Sequence, residues 1–345
     1  MELTSILRRA DYFRRSAARV DGRHDHKEWL HFCVRQGDLD VLVNFGVNDD
    51  RAHANGTASE RGQLIVLVRR GDRWVGDAER YWNDGTEIGG GEIYARIGGS
   101  TLALAPDGAF LIHARLCSQP IEVDLRLSPD TFPSLANNIR LGPGQALNWL
   151  VVPRLRAQGT VRIGNETREL GGALAYHDHN WGRFAWGADF AWEWGYGAPD
   201  DAACPWSFMF VRLSDRAMTS TKTQVLTVWR GPHLVRSFRG RQLRIVADDA
   251  LSPREVLQVP PVMGLLSPGA ATDVPARLVL EAEADGDWFR VELRSRSVAQ
   301  IIVPNDGGPG VTRINEVAAD LSASGGIADE CFDYAGGGVF EVLAS

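Results

Sequence analysis

The chain is predicted to be all-β, built as two antiparallel barrels or sandwiches behind a short N-terminal helix. Three observations predict it. Apolar residues alternate with polar ones over many short runs, the period of a half-buried strand. Clusters of Gly, Pro, Asp and Asn separate those runs at hairpin spacings. No long helical pattern alternates with the strands, which argues against a doubly wound α/β sheet. At 345 residues the chain is long enough for about two domains.

Residues 2–19 carry the one clear helical period. Leu3, Ile6, Leu7, Ala10, Phe13 and Ala17 recur at three- and four-residue steps, with arginines between them. One reading is a helix packed on a barrel end. The sharper reading is an arginine-rich helix resting on anionic lipid, a peripheral membrane contact for an otherwise cytoplasmic protein. The segment has no continuous apolar block, so it does not read as a secretory signal, and no stretch is long enough to span a bilayer.

From Trp29 the period changes to two. Residues 29–34 and 39–47 form a hairpin turned at Gly37-Asp38, with Leu39, Val41, Val43, Phe45 and Val47 on one face. Further strands are expected over 63–69, 92–97, 101–105, 110–117, 121–127, 146–152 and 159–163. The second half continues with 206–213, 224–230, 243–247, 276–284, 288–298 and 338–343. Within 288–298, Phe289, Val291 and Leu293 oppose Arg290, Glu292, Arg294 and Arg296, a half-buried strand with a wet outer face. Residues 250–272 are proline-rich and read as a loop or short helix able to cover a cavity mouth. No Gly/Ser-rich linker divides the halves. Two domains, 1–183 and 184–345, are therefore expected to pack directly, without a recognisable repeat.

Composition excludes several classes. With 44% hydrophobic and 23% charged residues the chain is an ordinary globular one. A net charge of −7 argues against a nucleic-acid partner. The four cysteines are far apart and form no CxxC pair, so zinc or a disulfide framework is not expected and a reducing compartment fits. Of the 11 tryptophans, Trp181, Trp186, Trp192 and Trp194 fall close together. Such a cluster suits a large apolar ligand, or a core.

That cluster begins in the stretch Tyr176-His177-Asp178-His179-Asn180-Trp181-Gly182. If residues 174–181 form a strand, Tyr176, Asp178 and Asn180 share one face, and His177, His179 and Trp181 the other. In the following run Trp186, Phe190, Trp192, Trp194 and Tyr196 share a face, and Asp189 and Glu193 oppose them. Asp178 reads either as a buried acid or as a structural carboxylate. His177-x-His179 places two imidazoles on one face, as a metal pair would. His24-x-His26 repeats the spacing in a charged stretch expected to be exposed. Further ligands cannot be picked out, so no metal is expected. No phosphate loop, nucleotide fingerprint or nucleophile elbow has its strand–loop–helix context.

The motif, with Gly171-Gly172-Ala173-Leu174-Ala175 before it, the Trp29 strand, Pro153 to Gly159, and Trp192-Glu193-Trp194 after it, resembles the carotenoid 1,2-hydratase (hydroxyneurosporene synthase) family. That family groups with AttH-like proteins and with natural-product pericyclases. The resemblance implies two tandem lipocalin-like (calycin) barrels with the ligand between or within them, one per domain. It implies an apolar isoprenoid or polyene substrate and no cofactor. The implied chemistry is addition of water to a C=C bond, or proton-initiated cyclisation there. Asp178 would be the acid, with His177 or His179 orienting it or activating water. Tyr176, Asn180, Trp181, Trp186, Trp192, Glu193 and Trp194 would line the substrate site. Two alternatives stay open: a Diels–Alderase, other pericyclase or terpene cyclase acting mainly by shape, and a non-enzymatic carrier of lipophilic molecules.

Overall fold

The computed structural model describes residues 3–14, 26–49, 60–251, 256–266, 274–306 and 308–344. Among them the regular structure is almost all strand, with two short α-helices, α1 (Leu3–Ala10) and α2 (Pro261–Leu266). No helix among the described residues is long and apolar enough to cross a membrane. The helix expected over 2–19 stops at Ala10 because Asp11 turns inward and is fully buried; residues 15–19 lie outside the described ones. Leu7 is buried. Thr4 Oγ1 donates to the Asp107 carbonyl at 3.2 Å and Arg8 to that of Pro106 at 2.9 Å, so α1 is pinned to the turn at 106–108.

The chain divides into two compact units. The first comprises Met1–Gln36, Val41–Val68 and Gly76–Ala185; the second comprises Gly37–Asp40, Arg69–Val75 and Trp186–Ser345.

The first unit is built on a sheet of β1 (His26–Gln36), β2 (Leu39–Asp49), β3 (Glu60–Arg70), β4 (Arg73–Tyr81), β5 (Thr86–Ile88), β6 (Tyr94–Ile97), β7 (Ser100–Leu104), β8 (Phe110–Arg115), β9 (Ile121–Pro129), β10 (Ser134–Gly142), β11 (Gln145–Ile163) and β12 (Glu166–Arg183). The order is β4-β3-β2-β1-β12-β11-β9-β8-β7-β6-β5, with β10 paired to β11. The edge strands β4 and β5 follow one another in the chain, and the sheet rolls to bring its edges together. Gly62 of β3 donates to Thr86 Oγ1 of β5 at 3.2 Å, and Gln119 reaches the Gly76 carbonyl of β4 at 2.7 Å.

The sequence reading broke β11 into two strands around Pro153. The strand instead runs through, because a register shift between Val152 and Leu155 accommodates a residue with no N–H to pair. Gly159 lets it pass β9 closely, since a Cβ there would lie 1.9 Å from the Asp124 carbonyl oxygen. The motif ends on Gly182 for the same reason: a Cβ would lie 2.2 Å from the Ala146 carbonyl oxygen.

The second unit repeats the plan with β13 (Ala191–Pro199), β14 (Trp206–Ser214), β15 (Thr221–Arg230), β16 (His233–Arg239), β17 (Leu243–Ala250), β18 (Val256–Val259), β19 (Pro275–Ala284), β20 (Asp287–Pro304), β21 (Val311–Ile327) and β22 (Glu330–Ala344). The order is β16-β15-β14-β13-β22-β21-β20-β19-β17, and β18 adds to β20 in parallel. Gln224 of β15 donates to the Leu243 carbonyl of β17 at 2.5 Å, so this sheet rolls too. Phe208, Phe210, Phe289, Leu293 and Phe340 fill its core. The sequence reading missed β21, whose core side is Val317, Ala319, Leu321 and Ala323, mostly small residues with a weak apolar signal. The proline-rich segment yields β18 and α2; residues 252–255 and 267–273 lie outside the described ones.

Candidate active site

β12 lies between β1 and β11, and their registers set the site out as a grid. Asp178 is opposite His31 of β1 and Val151 of β11; Asn180 is opposite Trp29 and Trp149; Tyr176 is opposite Cys33. Residues paired this way point to the same face. On the other face His179 lies between Leu30 and Leu150, and His177 between Phe32 and Val152. The two-residue period read from the sequence thus holds across the motif.

The histidine face looks into the rolled sheet. Phe32 stacks on His177 with ring centroids 4.2 Å apart and planes 12° from parallel, and Phe110 of β8 packs on the same ring at 4.7 Å. Asp11, arriving from the end of α1, closes this interior. Its Oδ2 accepts from His177 Nε2 at 2.9 Å and its Oδ1 from His179 Nδ1 at 2.8 Å. His177 Nδ1 donates to the His31 carbonyl at 2.9 Å, and His179 Nε2 to Glu28 Oε1 at 2.8 Å. Glu28 also meets His26 Nε2 at 3.1 Å and the Arg14 backbone N–H at 2.7 Å.

A carbonyl and an ionised carboxylate can only accept, so each ring nitrogen of His177 and His179 carries its hydrogen. Two imidazolium rings and two carboxylates then cancel in a region where all four side chains are fully buried. Burial pushes Asp11 up, but the two imidazoles outweigh it and hold the carboxyl at about 2. The same contest leaves Glu28 below the usual carboxylate range and His179 above the usual imidazole range.

This geometry corrects two expectations. Neither His177 nor His179 partners Asp178, because the strand period carries them to opposite faces and Asp11 and Glu28 engage them first. With both nitrogens donating, neither ring has a lone pair with which to activate water. His26, expected to be exposed, is buried against Glu28. His24 lies outside the described residues. The carboxylates bracket the His179 ring rather than converge on a point with it, which is the wrong shape for a shared ion. Among the described residues, His113, Glu122 and Asp124 lie within 4.8 Å of one another on the outside of β8 and β9. Glu122 there is already hydrogen-bonded by Arg162, which holds its carboxyl down.

The opposite face carries Asp178, 1% exposed. Tyr176 donates its hydroxyl to Oδ2 at 2.9 Å and Asn180 its amide to Oδ1 at 2.8 Å. Burial raises the carboxyl to about 7; the Trp149 indole and the Tyr176 hydroxyl, as donors, draw it back only in part. At neutral pH both forms of the acid are populated, which is what proton transfer in both directions requires. His31, 3% exposed, stands beside it with Nε2 3.0 Å from Cys33 Sγ.

The remaining expected site residues divide between places. Trp181 lies on the histidine face, with the Arg14 guanidinium 3.5 Å above its ring. Trp186, Trp192, Glu193 and Trp194 belong to the second unit. There Trp186 packs on Trp192 at 5.8 Å and Trp194 stacks on Tyr196 at 6.4 Å. The Trp192 indole donates to Glu341. Glu193 is not solvated: it is buried and receives both Nε and Nη2 of Arg212.

Sequence reasoning missed Asp11, Glu28, His31 and Trp149. Asp11 had a signal, since it falls four residues after Leu7, on the apolar stripe of the N-terminal helix. His31 and Trp149 lie in strands that were recognised, and Glu28 just before the first of them, but their relation to the motif is a matter of register, which local pattern does not reveal.

No protein-family model matches the chain, and no curated protein matches it by sequence. Solved structures do. A putative AttH from Nitrosomonas europaea aligns over 93% of this chain and 93% of its own, with a TM-score of 0.66 at 13% identity. Kievitone hydratase from Nectria haematococca covers 92% of this chain and 89% of its own, with a TM-score of 0.55 at 11% identity. CghA, also solved with Sch210972, covers 92% and 88%, with a TM-score of 0.55 at 13% identity. At such identities the likeness is one of fold, and the fold is the tandem, lipocalin-like all-β one.

Proposed function

We propose that this chain is a cofactor-independent acid–base enzyme of hydratase or cyclase type, in which Asp178 protonates a C=C bond of an apolar isoprenoid or polyene. One observation carries the reading: a fully desolvated carboxyl, held between Tyr176 and Asn180, whose proton affinity lies near neutrality. Protonating an isolated alkene needs a strong acid in a dry place, and burial keeps the carboxyl protonated until the substrate accepts the hydrogen. Loss of that proton converts Asp178 to a carboxylate at the moment a tertiary cation forms beside it. Tyr176, Asn180 and Trp149 then stabilise the new negative charge. Trp29 and Trp149 bracket Asn180 on the same face; an aromatic face stabilises a desolvated cation by roughly 0.5–2 kcal/mol. Water attacks the cation, and the Asp178 carboxylate recovers a proton from it, so the catalyst is restored without any added group.

The fold likeness to an enzyme named for hydration, kievitone hydratase, supports the same reading. The test is incubation with neurosporene or kievitone in D2O, comparing the wild type with Asp178→Asn. The wild type should place one deuterium on carbon, and the variant should not. Product formation undiminished in Asp178→Asn would replace the acid with catalysis by shape. Unchanged probe recovered from a tight complex with the wild type would point to a carrier.

A further inference from the structure

Beside Asp178 the grid holds a second group suited to the reaction. His31 is directly opposite Asp178 in the β1–β12 register, on the same face, and 3% exposed. Across Asp178 from it stands Val151, which offers no polar group. Tyr176 and Asn180 each direct a donor at the carboxyl itself. We propose that His31 holds the attacking water beside Asp178, so that this site adds water to the cation rather than cyclising it; the proposal rests on the reading of Asp178 as the acid.

The ring is built for that task. Its Nε2 is 3.0 Å from Cys33 Sγ, and Cys33 is the cross-strand neighbour of Tyr176. A thiol is a weak donor and a weak acceptor, so a water O–H replaces it at the imidazole nitrogen at small cost. Burial, helped by the His177 charge on the other face, pushes His31 down to about 3. The ring therefore stays neutral above about pH 3, across the range in which Asp178 passes from acid to carboxylate. A neutral imidazole accepts a hydrogen bond from water and adds no positive charge to repel a carbocation, which an imidazolium would do.

The steps balance. The Asp178 O–H bond breaks, and the alkene π pair forms a C–H bond, leaving a tertiary cation and a carboxylate. The oxygen of the water held at His31 forms the C–O bond. Its O–H bond then breaks, and the proton goes to Asp178. Alkene and water give a tertiary alcohol, with no net change in either side chain. Without a held water, the cation returns a proton to Asp178 as an isomeric alkene, or an internal alkene captures it as a ring.

The test follows neurosporene and, separately, kievitone in D2O and in 18O-water, with wild type, His31→Leu, His31→Gln and Cys33→Ser. The wild type should give an alcohol bearing 18O. His31→Leu should still place deuterium on carbon, while the ratio of alcohol to isomerised or cyclised product falls about tenfold, the value of one good hydrogen bond. His31→Gln, which can also accept from water, should recover most of that ratio, and Cys33→Ser, whose hydroxyl competes with water for Nε2, should lower it. An unchanged ratio in His31→Leu, with deuterium incorporation intact, overturns the role of His31 and leaves the acid in place. Parallel loss of deuterium and alcohol in both His31→Leu and His31→Gln overturns it as well, by making the ring a support for the acid rather than a holder of water. Absence of deuterium from both probes with the wild type overturns the Asp178 reading, and this one with it.

Discussion

The two faces of β12 carry similar side chains under similar burial and reach opposite results. On the inward face His177 and His179 meet Asp11 and Glu28, so every proton is pinned and the charges cancel. On the other face the side chains that donate to Asp178 are neutral, Tyr176 and Asn180, and the Trp149 indole beside them also lowers it. Burial alone would raise Asp11 as it raises Asp178; the opposite charge within hydrogen-bonding distance decides which carboxyl holds its proton. The comparison also shows why a compensated cluster can sit behind an acid without disturbing it. Across the strand, the His179 charge lowers Asp178 and the Asp11 charge raises it, so the two oppose.

The largest expected effect falls on the Asp178 face. Asp178→Asn should lower turnover by about 10²–10⁴-fold while the variant still unfolds cooperatively in urea; a large loss of stability with activity per folded molecule retained would put Asp178 with the structural set. Next, Asp11→Ala should cost about 3–5 kcal/mol in urea unfolding, because it leaves two buried imidazoles short of a counter-charge. In that variant Asp178 also loses the neighbour that raises it, so the alkaline limb of the rate profile should move to lower pH.

The pH dependence of stability should separate the faces by sign. Asp178 has a folded value of about 7 against 3.8, so its contribution is complete below 3.8 and is lost as pH rises through about 7. Asp11, at about 2, runs the other way: its contribution is complete above 3.8 and is lost as pH falls through about 2. Asp178→Asn should abolish the neutral-range slope and leave the acid-range slope, as read from chemical denaturation at a series of pH values. The smallest effect belongs to Tyr176→Phe. Removing a donor that lowers Asp178 should move the infrared carboxylic-acid band's titration midpoint upward, with little change in fold.

Much of this was legible in the chain. Alternation located most strands, the turn at Gly37-Asp38 appeared as read, and period two sorted 176–181 onto two faces. The weak points have physical causes. β21 presents Ala319 and Ala323 where a stronger strand would present Val or Ile, and Pro153 hid the continuity of β11. The partners of the motif histidines were out of reach because cross-strand register is set by closure of the whole sheet. No local pattern near His177 says that its carboxylate comes from Asp11, or that the group opposite Asp178 is His31.

Asp11 is separated by 166 and 168 residues from the two rings it binds. A ribosome must therefore deliver the chain past His177 before that carboxylate meets its first ring, and until then the opening helix is held at the 106–108 turn without its ion pairs. During synthesis the first barrel stays unlatched at its start, and the last strand to emerge is the one that shuts it.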